Sequence, residues 1–211
     1  LNEICIGQYG LKNDNADQIA SYTQDSKKHD STTETFVALM AKIDNWRWAG
    51  VPFFLRTGKR LKTRASEIVI TFKPIQHFIF DKTEKNNTLP NQLIIRLQPD
   101  EGLKILLMSK EPGPGGIRIS PSYLNLSFSD TFKNKIPDAY ERLLMDVVRG
   151  NQTLFMRKDE VEAAWSWIDP IINLIKKNNR LPETYTPKSW GPTSSFDLLK
   201  RHGFEWCEPH Y

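Results

Sequence analysis

An α+β fold, with a large mostly antiparallel β-sheet and helices packed on one face, is what the order of hydrophobic periods predicts. Period-two alternation dominates the chain as far as Phe128, and helical periodicity takes over only after Pro137. The chain also shows no βαβ alternation and no G-x-G-x-x-G turn, so no Rossmann domain is expected in it. Residues 1–211 are read as a single domain.

The elements follow in order. Leu1 to Tyr9 form a short first segment, and residues 11–30 are polar with little periodicity, so a loop or disordered stretch is expected there. From Glu34 to Ile43, Thr35, Val37, Leu39, Ala41 and Ile43 alternate with Phe36, Ala38, Met40 and Lys42, which predicts a strand with both faces at least partly buried. Asp44 and Asn45 resemble helix-start chemistry. Trp46, Trp48, Pro52, Phe53 and Phe54 make an aromatic connection into another extended stretch. These tryptophans, like Trp165 and Trp167, are expected in the core or in helix packing. Glu67 to Phe72 alternates as a strand. Gln92 to Gln98 and Leu103 to Met108 flank the turn residues Pro99-Asp100-Glu101-Gly102, which predicts a hairpin. Glu111 to Gly116 is a loop, and Tyr123 to Phe128 a further strand.

Helices then take over. Tyr140, Leu143, Leu144, Val147 and Val148 recur at helical spacing, with Asp138 at the start and Arg149-Gly150 at the end. A second helix carries Val161, Ala164, Trp165, Ile168, Ile172 and Ile175 on one stripe. Asp159 and Glu162 are read as its N-cap pair, and a kink is expected at Pro170. A short helix begins near Ser194 or Ser195 and ends by Gly203.

Composition narrows the function classes. Apolar residues make up 39% and aromatics 11%, enough for a packed core, and the net charge is only +4. That charge permits an anionic ligand without calling for nucleic acid. No apolar run is long enough to span a bilayer, and no signal peptide is visible, so no membrane partner is expected. Leu1 rather than Met opens the sequence, which reads as a cut terminus. Cys5 and Cys207 fit neither a zinc motif nor a disulfide framework, so they are expected to be reduced thiols in a cytoplasmic protein.

Chemistry concentrates in Arg56-Thr57-Gly58-Lys59-Arg60-Leu61-Lys62-Thr63-Arg64, five cations in nine residues. Gly58 is expected to take a positive φ and make the turn that bares Lys59. Arginine forks and a lysine point charge suit a sugar phosphate, a nucleotide or a nucleic-acid backbone. On composition alone, a solvated turn is the plainer reading. Gln98, at a strand end, suits either hydroxyl recognition or capping of its own turn. His29, His77, His202 and His210 show no metal spacing and no nucleophile partner, and none is assigned a catalytic role.

Several strings carry a resemblance. Ile43-Asp44-Asn45-Trp46-Arg47-Trp48-Ala49-Gly50-Val51-Pro52-Phe53-Phe54-Leu55-Arg56-Thr57-Gly58-Lys59 resembles the signature stretch of glucose-6-phosphate dehydrogenases. So do Ile95 to Glu101, Pro137 to Leu144, Trp190-Gly191-Pro192 and, near the start, Gly7-Gln8-Tyr9-Gly10. They occur in family order across nearly the whole chain.

The resemblance implies the C-terminal part of an enzyme that oxidises glucose 6-phosphate to 6-phosphogluconolactone with hydride transfer to NADP. It implies that Lys59, Arg64 and Gln98 contact the sugar phosphate. It also implies a homodimer or tetramer assembled through the C-terminal sheet. The family's GASGDLA-type cofactor turn, its DHYLGK-type substrate string and the general-base histidine are not found in these residues. The chain alone is therefore expected to be inactive, with NADP bound mainly by the part not present. Arg56 and Arg96 match two arginines of a structural NADP site known in some members. Ala65, Val69 and Trp190 stand at other cationic positions of that site, so it is expected to be weak. Two alternatives compete: a stand-alone dimerisation or scaffold domain, and a nucleic-acid-binding module using residues 56–64. The modest charge and the lack of any recognition motif argue against the second, and no nucleic-acid partner is expected.

Overall fold

A computed structural model describes residues 2–14, 17–75, 77, 88–114, 116–132 and 139–208. Pro137, Asp138 and His210, to which the sequence reading gives places, lie outside the described residues. The chain divides into two compact units: Leu1–Thr63 with Asp138–Trp206, and Arg64–Pro137 with Cys207–Tyr211.

The first unit is built on a four-stranded sheet. Its strands are β1 (Ile4–Tyr9), β4 (Phe36–Ala41), β5 (Phe53–Gly58) and β10 (Glu183–Tyr185), arranged in the order β10-β1-β4-β5. Pairing is antiparallel except between β1 and β10, where Gly7, Gln8 and Tyr9 run parallel to Glu183, Thr184 and Tyr185. The alternation read in β4 holds: Phe36, Ala38 and Leu39 are buried and Val37, Met40 and Ala41 partly so. Helix α5 (Thr193–Lys200) packs on β1 and β4. It buries Leu198 and Leu199 in a core with Cys5, Tyr9, Phe36, Ala38 and Tyr185.

Residues 11–30 depart from the expected loop. They hold an antiparallel ribbon of β2 (Lys12–Asp14) and β3 (Asp17–Ile19), then one helical turn, α1 (Tyr22–Asp25). Ser21 caps that turn, accepting from the Gln24 N–H while the Gln24 carboxamide oxygen accepts from the Ser21 N–H. Three-residue strands and a four-residue helix are too short to leave a hydrophobic period.

The second unit is a meander of β6 (Ser66–Thr71), β7 (Gln92–Gln98), β8 (Gly102–Lys110) and β9 (Ile119–Ser127), antiparallel throughout, with the short helix α2 (Phe128–Thr131) against β9. The expected hairpin is β7-β8. The fold class is therefore α+β with mostly antiparallel sheets, the strands among the described residues being shared between two four-stranded sheets and the β2-β3 ribbon. Register gathers aliphatics on one face of the second sheet. Ile68, Ile95, Leu103 and Leu126 form one cross-strand row, and Ile70, Leu93, Ile105 and Leu124 a second.

Helices α3 (Ala139–Arg149) and α4 (Lys158–Lys177) complete the first unit. Gly150 closes α3 at φ 67°, as the sequence implies. Helix α4 runs through Pro170 and begins earlier than expected: Arg157 is the N-cap, and the Glu160 carboxylate accepts from the Arg157 N–H at 3.0 Å. Asp159 does not cap, because its carboxylate is taken by the Arg157 guanidinium, Nε donating at 3.0 Å, and by the Glu160 N–H at 3.1 Å. The tryptophans correct the core assignment. Trp46 is 96% exposed, and Trp48, Trp165 and Trp167 are also open to solvent. Asn45 heads a turn rather than a helix, its Oδ1 accepting from the Trp48 N–H at 2.9 Å.

Candidate functional site

Strand β5 delivers the basic segment. Its end is fixed by packing rather than by glycine's backbone freedom. Gly58 does not take a positive φ; Arg60 does, at 53°. The absent side chain is what Gly58 contributes, because a Cβ there would sit 2.8 Å from Phe36 Cδ2 and 3.2 Å from Leu61 Cδ2. The turn then lies over the ring of Phe36, which is 1% exposed.

Backbone bonds hold the turn from both sides. The Lys59 N–H donates to the Thr35 carbonyl at 2.8 Å, and the Lys59 carbonyl accepts from the Tyr185 hydroxyl at 2.6 Å. Further along, the Arg60 carbonyl accepts from the Lys188 N–H at 2.7 Å, and the Lys62 N–H donates to the Ser189 carbonyl at 2.9 Å. The segment after β10 is thus laid across the basic turn.

The side chains of the five cations divide. The Arg56 guanidinium lies over two indoles, 5.0 Å from the Trp190 ring and 4.4 Å from that of Trp206. Lys62 shares the first of these indoles, its Nζ lying 5.8 Å from the Trp190 ring. Arg60 donates to Asp25 Oδ2 at 3.3 Å, the same oxygen that accepts from the Tyr9 hydroxyl at 2.9 Å. Lys59 and Arg64 are exposed, and neither side chain has a hydrogen-bond or ion-pair partner among the described residues.

Arg64, Gln98 and Arg96 belong to the second unit. Arg64 stands two residues before β6, and Ser66 at the head of β6 is paired with Gln98, so Arg64 and Gln98 share one end of the β6-β7 pair. The Gln98 side chain is exposed and does not cap its own turn. Arg96 donates through Nη2 to Asn125 Oδ1 at 3.0 Å.

Burial raises the pKa of both phenols beneath the turn. Tyr9 is raised first by desolvation and then by its hydrogen bond to Asp25, and Tyr185 by desolvation against weaker opposing bonds from Thr35 and Lys59. No group of three or more metal-ligating side chains exists among the described residues. Arg56 and Arg96, read as arginines of a structural NADP site, fall in different units, and Arg96 Nε is buried with no hydrogen-bond partner among the described residues. The Arg56 guanidinium packs against the Trp190 and Trp206 rings, and Arg96 Nη2 donates to Asn125.

A family model described as glucose-6-phosphate dehydrogenase, C-terminal domain, matches residues 1–207. The chain belongs to that family. Among relatives of this glucose-6-phosphate dehydrogenase C-terminal domain, the glucose-6-phosphate 1-dehydrogenase of Rhizobium meliloti is 52% identical over 200 residues, covering 95% of this chain and 40% of the relative. That of Mycolicibacterium smegmatis is 50% identical over 200 residues, covering 95% and 40%. A solved glucose-6-phosphate dehydrogenase in complex with its substrate glucose-6-phosphate superposes with TM-score 0.84 at 33% identity, over 97% of this chain and 41% of that one. The enzyme from Mycobacterium avium gives TM-score 0.75 at 32% identity, over 99% and 41%. The C-terminal domain described here thus spans about two fifths of the length of the relatives it matches.

Sequence reasoning missed the supports of the turn: Tyr185, Thr35, Tyr9 and Asp25. Tyr185 stands 126 residues from the carbonyl it holds. The one local pointer was its position five residues before the Trp190-Gly191-Pro192 string.

Proposed function

We propose that this chain is the C-terminal part of a glucose-6-phosphate dehydrogenase, an enzyme oxidising D-glucose 6-phosphate to 6-phospho-D-glucono-1,5-lactone with hydride transfer to NADP. Its share of the work is one edge of the substrate site. Lys59 and Arg64 supply charge to the phosphate, and Gln98 offers an amide to hydroxyls. The observation that carries this reading is the division of the cations. Three of the five are engaged by aromatic rings or a carboxylate, whereas Lys59 and Arg64 have no partner among the described residues. A segment built only for solubility has no reason to divide in this way. The relative solved with glucose 6-phosphate supports the choice of anion.

NADP, held by the remainder of such an enzyme, would supply the hydride acceptor, and a base outside these residues would take the C1 hydroxyl proton. The 211 residues alone are accordingly inactive. Assembly as a homodimer or tetramer runs through the second sheet, whose two aliphatic rows give it an apolar face.

Calorimetric titration of the chain with glucose 6-phosphate, with glucose as control, tests the reading. Lys59→Ala and Arg64→Ala should each weaken binding about tenfold, since a hydrogen bond to a charged group contributes about 1.5–3 kcal/mol. Glucose 6-phosphate binding that both variants leave untouched sinks the assignment. NADP reduction by the chain alone sinks the inactivity.

A further inference from the structure

The Tyr185 hydroxyl is buried under the basic turn, and the substrate-edge reading gives it no task. We infer that Tyr185 is a positioning residue, whose hydroxyl sets where Lys59 presents its ammonium to the phosphate. This inference rests on the proposed role of Lys59.

The geometry is a short chain of hydrogen bonds. The Tyr9 N–H donates to Thr35 Oγ1 at 3.0 Å, Thr35 Oγ1 lies 3.1 Å from the Tyr185 hydroxyl, and that hydroxyl donates to the Lys59 carbonyl at 2.6 Å. A phenol has one proton, and the shortest contact claims it, so the threonine hydroxyl donates to the tyrosine oxygen. Each bond then polarises the next. Tyr185 itself is immobile: it is 3% exposed, ends β10 in parallel register with Tyr9, and meets the Phe36 ring at 5.5 Å.

Lys59 is tied through its N–H to Thr35 and through its carbonyl to Tyr185, so its Cα is clamped between two backbone anchors. Its ammonium, at the end of a four-carbon stem, has no partner among the described residues. The only rigid part of this lysine is its backbone. A charge-assisted hydrogen bond from the ammonium to a phosphate depends on distance and angle, so a displaced backbone weakens it. Thr35 belongs to the same device, one link further from the ligand.

The test is a double-mutant cycle on the 211-residue chain, read by calorimetric titration with glucose 6-phosphate and by thermal unfolding. Tyr185→Phe keeps the ring in the core and removes only the hydroxyl. It should weaken binding about tenfold while unfolding stays cooperative, and the Lys59 amide should exchange faster with deuterium. Lys59→Ala should weaken binding at least as much, and Tyr185→Phe should add nothing in the Lys59→Ala background. Thr35→Val, which removes the donor to Tyr185, should shift affinity in the same direction and covers the case in which Tyr185→Phe does not fold. Wild-type affinity in Tyr185→Phe and Thr35→Val, alongside a loss in Lys59→Ala, overturns the inference and leaves the substrate-edge reading standing. Additive losses overturn it too, since Tyr185 would then act by another route. No binding by the wild type, or an unaffected Lys59→Ala, ends the substrate-edge reading and this inference with it.

Discussion

Gly58 carries its weight by what it lacks. A methyl group at this position would meet Phe36 Cδ2 at 2.8 Å, a steric conflict in an ordinary backbone conformation, so Gly58→Ala should destabilise the fold by about 1–3 kcal/mol. Urea unfolding checks this, and pairing it with Phe36→Leu should recover part of the loss. The buried phenols make a second prediction at this scale. Tyr9 and Tyr185 hold their protons above the ordinary phenol value of about 10. The unfolded chain releases those protons first. Stability from this source is therefore complete below about pH 10 and falls as pH rises toward the folded values. The urea midpoint should drop above that pH, and less steeply in Tyr9→Phe; identical slopes would contradict the assignment. The cationic cluster was legible because five charges in nine residues stand out, and resemblance singled out Lys59 and Arg64. Tyr185 was not, because no local pattern encodes a bond between residues 126 positions apart.

Elements were legible where their periods were long enough to count. The six residues of β4 lie within the alternation read from Glu34 to Ile43, and the seven of β7 form a β-rich run that ends at turn residues; both appear where the sequence placed them. The three residues of β10 carry none, although they supply the tyrosine on which the turn rests. The start of α4 was misplaced because Asp159 looks like a cap in sequence, yet its carboxylate is held by the Arg157 guanidinium. Glu160, rather than Glu162, closes the cap. Glu160→Ala should therefore cost about 1 kcal/mol and lower helical circular dichroism, whereas Glu162→Ala should cost little.

At the scale of the whole molecule, the sequence indicated the class but not the division into two units, since that division depends on contacts between distant segments. The second sheet makes the prediction that belongs here. Ile70 and Leu124 close the two ends of one aliphatic row, and Leu124 is 61% exposed. If the chain pairs through this face, sedimentation at micromolar concentration should give a dimer, and Ile70→Lys with Leu124→Lys should give a monomer with an unchanged fold. Dimers that survive both substitutions place the interface elsewhere. The parallel seating of β10 beside β1 has a consequence in time. A ribosome completes the lysine turn long before it reaches Tyr185, so a nascent chain halted ahead of Glu183 holds every proposed ligand contact of this edge and lacks the hydroxyl that bonds the Lys59 carbonyl.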